Sequence, residues 1–247
     1  TVTDEAPTQV ASTVILPDTT TANPTVCNLG PDSPQLLAVD RPYVRQETPS
    51  DTRVVTITGY GFGSTAGVLR LNGTAVPTTS WTNKQIKVQV PTTLAGEDLR
   101  GPVSVSITAT NGLSSYNGLT IQVLGRQTNG NVGRTAFTPR LAEVGPGKQF
   151  STIQAAIQAA VPTRAQPYWL IVVWPNAQTS ADPQGEYTQN VIVHHQVRIQ
   201  GVGPGGFDSD GVFVRGSIID GAGFNPDNPS GLAWVTLLGT LTHTGNQ

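Results

Sequence analysis

The stretch Val54-Val55-Thr56-Ile57-Thr58-Gly59-Tyr60-Gly61-Phe62-Gly63 decides the fold class of this 247-residue chain. From Val54 apolar and polar residues alternate, the period of a strand with one face in a core and the other in water. The alternation returns at Leu69 and Leu71, at Ile86, Val88 and Val90, at Val103, Val105 and Ile107, and at Leu119, Ile121 and Val123. Polar residues such as Lys87, Gln89, Ser104, Ser106, Thr120 and Gln122 fill the intervening positions. Asn72-Gly73, Asn111-Gly112 and Asn117-Gly118 supply turn signals between the runs. The pattern predicts an antiparallel β-sandwich over residues 38–124.

Five pieces of this region carry a resemblance: Thr58-Gly59-Tyr60-Gly61-Phe62-Gly63, Leu71-Asn72-Gly73, Trp81-Thr82-Asn83-Lys84-Gln85-Ile86, Val90-Pro91 and Gly101-Pro102-Val103. In that order they resemble the IPT/TIG immunoglobulin-like family. The resemblance implies a spacer or binding unit of a surface protein. The DNA-binding members of that family carry basic loops that this sequence lacks. Physically, the glycines around Phe62 permit a tight corner, and Trp81 reads as a plug in the core beside the third strand.

Outward toward the N-terminus, residues 1–37 are rich in Thr, Pro, Ala and Asp, with one apolar stretch at Val14-Ile15-Leu16. Such a composition buries too little to offset ordering entropy, so it predicts an extended arm or linker. Cys27 is the one cysteine, which excludes an intrachain disulfide. The sequence has no Met. The expectation is therefore a removed leader or a piece of a longer polypeptide.

Toward the C-terminus, residues 125–145 read as a second linker, rich in Gly, Asn, Thr and Arg. Residues 146–247 then change character. Ser151 followed by Gln154 matches a capping box, and Ile153, Ala156, Ile157 and Ala160 form one apolar face of a short helix that Pro162 ends. Trp169-Leu170-Ile171-Val172-Val173-Trp174 reads as a buried strand. Asn190-Val191-Ile192-Val193, Val197-Arg198-Ile199-Gln200-Gly201 and Ser217-Ile218-Ile219-Asp220-Gly221 follow at a recurrence of about 20 residues, the period of a solenoid. The helix, the Glu186-Tyr187-x-x-Asn190-Val191 segment and Val197 to Gly203 resemble the opening of the pectate-lyase-like right-handed parallel β-helix family. The fold class expected is thus all-β: an immunoglobulin-like β-sandwich plus the start of a right-handed parallel β-helix, with a short capping α-helix. Two or three coils fit before Gln247.

Charged residues make up only 12% of the chain and the net charge is −2, so no basic field exists to gather nucleic acid or an anionic membrane. No run approaches the roughly 18 apolar residues of a membrane-spanning helix. In the β-helix enzymes that the C-terminal part resembles, catalytic residues usually lie in central coils, which this sequence does not contain. Asp208 and Asp210, in the loop Phe207-Asp208-Ser209-Asp210-Gly211, offer hard oxygen ligands and make calcium the one candidate cofactor; a solvated turn is the competing reading. His194 and His195 are adjacent in an extended segment and should point to opposite faces, unsuited to sharing a metal. Arg198 and Arg215 could face an acidic sugar, but no general base can be nominated beside them. Tyr168, Trp169, Trp174 and Tyr187 form a candidate carbohydrate platform, with core packing as the competing reading.

These features predict a secreted or cell-surface structural or adhesion protein without a catalytic site. Its expected partners are polysaccharide, and other copies of itself or another surface protein through open β edges. The alternative is the N-terminal part of a polysaccharide lyase or esterase whose catalytic coils lie beyond residue 247.

Overall fold

The computed structural model describes residues 32–125 and 136–221. The expectations for Val14-Ile15-Leu16, Cys27 and the chain beyond Gly221 lie outside the described residues.

The first unit is built from β1 (Gln35–Val39), β2 (Tyr43–Arg45), β3 (Val54–Tyr60), β4 (Val68–Leu71), β5 (Thr74–Val76), β6 (Ser80–Trp81), β7 (Gln85–Gln89), β8 (Thr93–Leu94), β9 (Glu97–Asp98), β10 (Gly101–Thr108) and β11 (Leu119–Leu124). Two sheets form, of order β1-β3-β7-β6 and β2-β11-β10-β4-β5, with β8 and β9 as a separate hairpin. The alternating apolar residues of the five runs, from Val55 and Ile57 to Leu119, Ile121 and Val123, are buried, because strand period two sends all of them to the inner faces of the two sheets. Each such side chain contributes about 1.5–3 kcal/mol by leaving water. Phe62 joins them at the centre. Trp81 meets Phe62 edge-on at 6.3 Å and packs against the core only half-buried, because its Nε1 donates to the carbonyls of Phe62 and Gly63 at the rim.

Asn72-Gly73 makes the turn between β4 and β5, with φ of 47° and 80°, the left-handed pair that a two-residue hairpin requires. Asn117 has a different task. Its side-chain amide accepts from the Leu36 N–H at 2.9 Å and donates to the Leu36 carbonyl, tying β1 into the sandwich. That strand begins at Gln35, within the stretch read from sequence as an arm.

The second unit contains β12 (Arg140–Val144), α1 (Ile153–Ala159), β13 (Trp169–Val173), β14 (Tyr187–Thr188), β15 (Arg198–Gly201), β16 (Gly206–Phe207), β17 (Phe213–Val214) and β18 (Ile219–Asp220). β12, β13 and β15 pair in parallel, as do β14 and β18, while β16 and β17 form an antiparallel hairpin. Arg140 faces Trp169, Leu170 faces Arg198 and Tyr187 faces Ile219, separations of 29, 28 and 32 residues. The recurrence is therefore longer than the 20 residues expected: the helix lies within the first of these spans, β14 and its flanking loops within the second, and the β16–β17 hairpin within the third. A sheet of three parallel strands and another of two do not amount to the stacked coils of a solenoid, and a β-helix is not shown.

The helix forms as expected but is capped one residue later. Thr152, not Ser151, accepts the Ala155 N–H on its Oγ1, which frees Gln154 from the capping box. Gln154 instead bonds both the N–H and the carbonyl of Ile192. This explains why Asn190–Val193 is not a strand: a side chain takes the partners that a ladder would supply. Ile153, Ala156, Ile157 and Ala160 lie on Ala142, Val144, Ile171 and Val173 of the parallel sheet.

The two units meet along β1. The Val39 N–H donates to the Val202 carbonyl at 2.7 Å, and the Gly205 N–H donates to the Leu37 carbonyl at 2.9 Å. Val202 is 3% exposed and belongs to the sandwich core. Gly203 sits between these contacts with φ of +134°, where a Cβ would lie 2.5 Å from the Leu37 carbonyl oxygen. Only a glycine lets the backbones approach this closely.

Candidate functional site

The four aromatics expected to share a platform are divided: Trp169 opens β13 and Tyr187 opens β14, while Tyr168 and Trp174 flank β13 on either side. Trp169, the first residue of β13, points inward and is 7% exposed; its Nε1 donates to the Val161 carbonyl, and the Arg140 guanidinium covers its ring at 4.8 Å. Tyr187 is 1% exposed and donates its hydroxyl to the Trp174 carbonyl at 2.8 Å, and burial raises the phenol above its ordinary pKa. Trp174 is half-buried, bonded to Glu143 through Nε1 and covered by Lys148 at 4.4 Å. Tyr168 alone is widely exposed, at 54%. A stacking surface needs open ring faces, so this group is core and rim and not a platform.

Asp208 and Asp210 do converge, but on a cation supplied by the chain. Lys84, from the turn ahead of β7, donates its Nζ to Asp208 at 2.8 Å and to Asp210. The other Asp208 oxygen accepts the N–H groups of Asp210 and Val212, which shapes the β16–β17 turn. The hydrogen bond from Lys84 holds the Asp208 carboxyl below its ordinary pKa of 3.8, and the bonds to Asp208 and Asp210 raise Lys84 above 10.5. The position that calcium would occupy between the two carboxylates is thus taken by an ammonium. Among the described residues, no group of three or more His, Cys, Asp or Glu could hold a metal.

His194 and His195 do not diverge. Their rings stack with centroids 4.3 Å apart, because the segment is not a strand and strand geometry does not separate them. Arg215 is spent on the carbonyls of Pro175 and Asn176. Arg198 remains open to solvent, its guanidinium stacked 4.7 Å from the centre of the Phe137 ring.

Arg198 stands in a groove that no local pattern reveals, because its walls come from different units. The outward face of β15 forms one wall and β11 with its preceding turn forms the other, bounding a shallow, solvent-open groove of about 640 Å³. Gln200 bridges them, donating to the Thr120 carbonyl at 2.7 Å and accepting from Gln122 at 3.0 Å. Gln122 is 5% exposed, and its Oε1 has no hydrogen-bond partner among the described residues. The one available sequence signal was polar alternation: Thr120 and Gln122, and Arg198 and Gln200, each mark one face of a strand.

The architecture is that of an immunoglobulin-like β-sandwich joined to a smaller parallel-sheet unit. Residues 43–123 match the IPT/TIG domain family, so the sandwich is an IPT/TIG domain. Among curated proteins, a cyclomaltodextrin glucanotransferase of Paenibacillus macerans is 34% identical over 122 residues, covering 44% of this chain and 17% of that enzyme. Among solved structures, the gamma-CGTase of alkalophilic Bacillus clarkii matches at 30% identity and a TM-score of 0.31, over 37% of this chain and 12% of that one. The chain thus spans about a sixth of the length of the curated relative it matches. No helix among the described residues is long and apolar enough to cross a membrane.

Proposed function

We propose that this chain is a non-catalytic structural unit of a secreted or cell-surface protein that associates with polysaccharide. The observation that carries the reading is the junction on β1, where backbone hydrogen bonds and the buried Val202 hold one unit against the other. A spacer that must hold a neighbour in a set orientation needs such a junction, whereas a flexible tether does not. Several ionisable side chains of the second unit are engaged in structural pairs: Lys148 with Glu143, and Asp208 and Asp210 with Lys84.

The parallel pairing of strands 28 to 32 residues apart supports the further reading that the second unit opens a right-handed β-helix. Among the described residues β15 is an edge strand of that sheet, which supports assembly with another chain or with further coils. The likeness to a cyclomaltodextrin glucanotransferase supports a second reading, in which the unit is an accessory part of a larger carbohydrate-active enzyme.

The test is to incubate the purified chain with soluble and insoluble α- and β-glucans and polyuronates, measuring co-sedimentation and the release of reducing or unsaturated ends. Co-sedimentation without product release is expected. Product release by the chain itself would overturn the non-catalytic reading.

A further inference from the structure

We propose that the groove between β11 and β15 is a binding site for a carboxylate-bearing, sugar-sized ligand, with Arg198 as its anchor. Three observations converge on this position. The first is size and place: about 640 Å³ at a junction between units lies within the roughly 300–1,000 Å³ of ordinary ligand sites. The second is charge. Among the residues lining the groove, Arg198 is the one ionisable side chain, and no carboxylate opposes it. Its guanidinium carbon lies over the Phe137 ring, 4.7 Å from the centroid, and the group bonds no acceptor among the described residues, so its fork of N–H groups is available.

The third observation is the pair of amides. Gln122 Oε1 is buried without a donor, and a buried amide oxygen left unpaired costs about 1–3 kcal/mol. Its own Nε2 is already committed to Gln200, so the orientation of the pair leaves an acceptor and not a donor on the Gln122 side. That oxygen is closed to solvent, so the amide pair serves to hold Gln200 and the spacing of β11 and β15, and the exposed Thr120 on the groove wall is what offers a hydroxyl to a ligand. One cation for a carboxylate and a hydroxyl-bearing wall in the same groove describe an acidic oligosaccharide better than a neutral one.

The choice of a sugar rests on the proposed association with polysaccharide; the position and the charge preference do not. The experiment is calorimetric titration of the whole chain with trimannuronate and with neutral mannotriose, repeated for Arg198→Ala, Arg198→Lys and Gln200→Ala. Trimannuronate is expected to bind at least tenfold more tightly than mannotriose and to weaken as salt rises. Arg198→Ala should lose at least tenfold in affinity and Arg198→Lys should recover part of it, with urea midpoints unchanged because Arg198 is exposed. Equal binding of the two sugars, unaltered binding by Arg198→Ala, or no binding by the parent chain would each overturn the site. Those results would leave the non-catalytic reading standing, since co-sedimentation and product release are measured separately.

Discussion

Gly203→Ala should uncouple the two units. At φ of +134° an alanine is strained by about 1–3 kcal/mol wherever it stands. Here its Cβ would also meet the Leu37 carbonyl oxygen at 2.5 Å and the Ala38 Cα at 3.0 Å. Those atoms belong to β1, which the ladder to β3 holds in place, so the 202–205 segment must lift instead. Lifting sacrifices the Val39-to-Val202 and Gly205-to-Leu37 hydrogen bonds, about 1 kcal/mol each, and draws Val202 from the core for about 1 kcal/mol more. A total loss of about 4 kcal/mol follows, taking strain near the low end of its range.

Gly211→Ala is the control: φ is +75° and a Cβ there meets nothing within 4 Å, so it should lose only about 1 kcal/mol, the left-handed strain itself. Urea unfolding of the whole chain compares the two variants, and amide hydrogen exchange at Val39 and Gly205 reports the junction directly. Should Gly203→Ala cost no more than Gly211→Ala, with exchange at both amides unchanged, the junction does not depend on close backbone approach and the reasoning fails.

Trp169→Ala should destabilise by about 3–5 kcal/mol in the same assay, whereas Tyr168→Ala should stay within about 0.5 kcal/mol, separating the buried aromatic from the exposed one. Asn117→Ala should cost about 2 kcal/mol by releasing both bonds to Leu36, and protease should then cut near residue 35 sooner than in the parent. The contribution of the Lys84 bridge should depend on pH on both sides. Asp208 has a depressed pKa, so its share is full above its ordinary value of 3.8 and disappears as pH falls through the lowered one. Lys84 has a raised pKa, so its share is full below 10.5 and disappears as pH rises through the higher value. The difference in urea midpoint between the parent and Lys84→Met should be level between those limits, vanish beyond them and shrink in high salt.

The sandwich was legible because its five runs obey one rule, and a rule repeated from Val55 to Val123 leaves little freedom in which side faces inward. The same rule made Arg198 and Gln200 readable as one face of a strand, but what faces them was not, since Thr120 and Gln122 lie some 80 residues away. Periodicity is local and a groove between units is not. The calcium expectation met the same limit: two aspartates in a turn give no notice that a lysine from another unit lies between them. Aromatic clustering along the chain misled differently, because Tyr168 and Trp169 are neighbours of which only Trp169 enters the buried strand β13. Thr152 displaced Ser151 as cap because two adjacent hydroxyls are equivalent candidates until the backbone selects one.

β1 is bonded to β3 on one side and to the Val202–Gly205 backbone on the other, and the second set of contacts joins positions about 160 residues apart. Synthesis from the N-terminus therefore delivers a nearly finished sandwich long before the segment that completes it. For the time a ribosome needs to add the roughly 80 residues from the end of β11 to Gly205, about 4–16 s at bacterial-to-eukaryotic rates, the flank of β1 stands unprotected. Pairing between nascent chains is the hazard during that interval, and a holdase or a slow-pairing, bulged β1 is the remedy. The register shift between Leu36 and Ala38 supplies the second of these within the sequence itself.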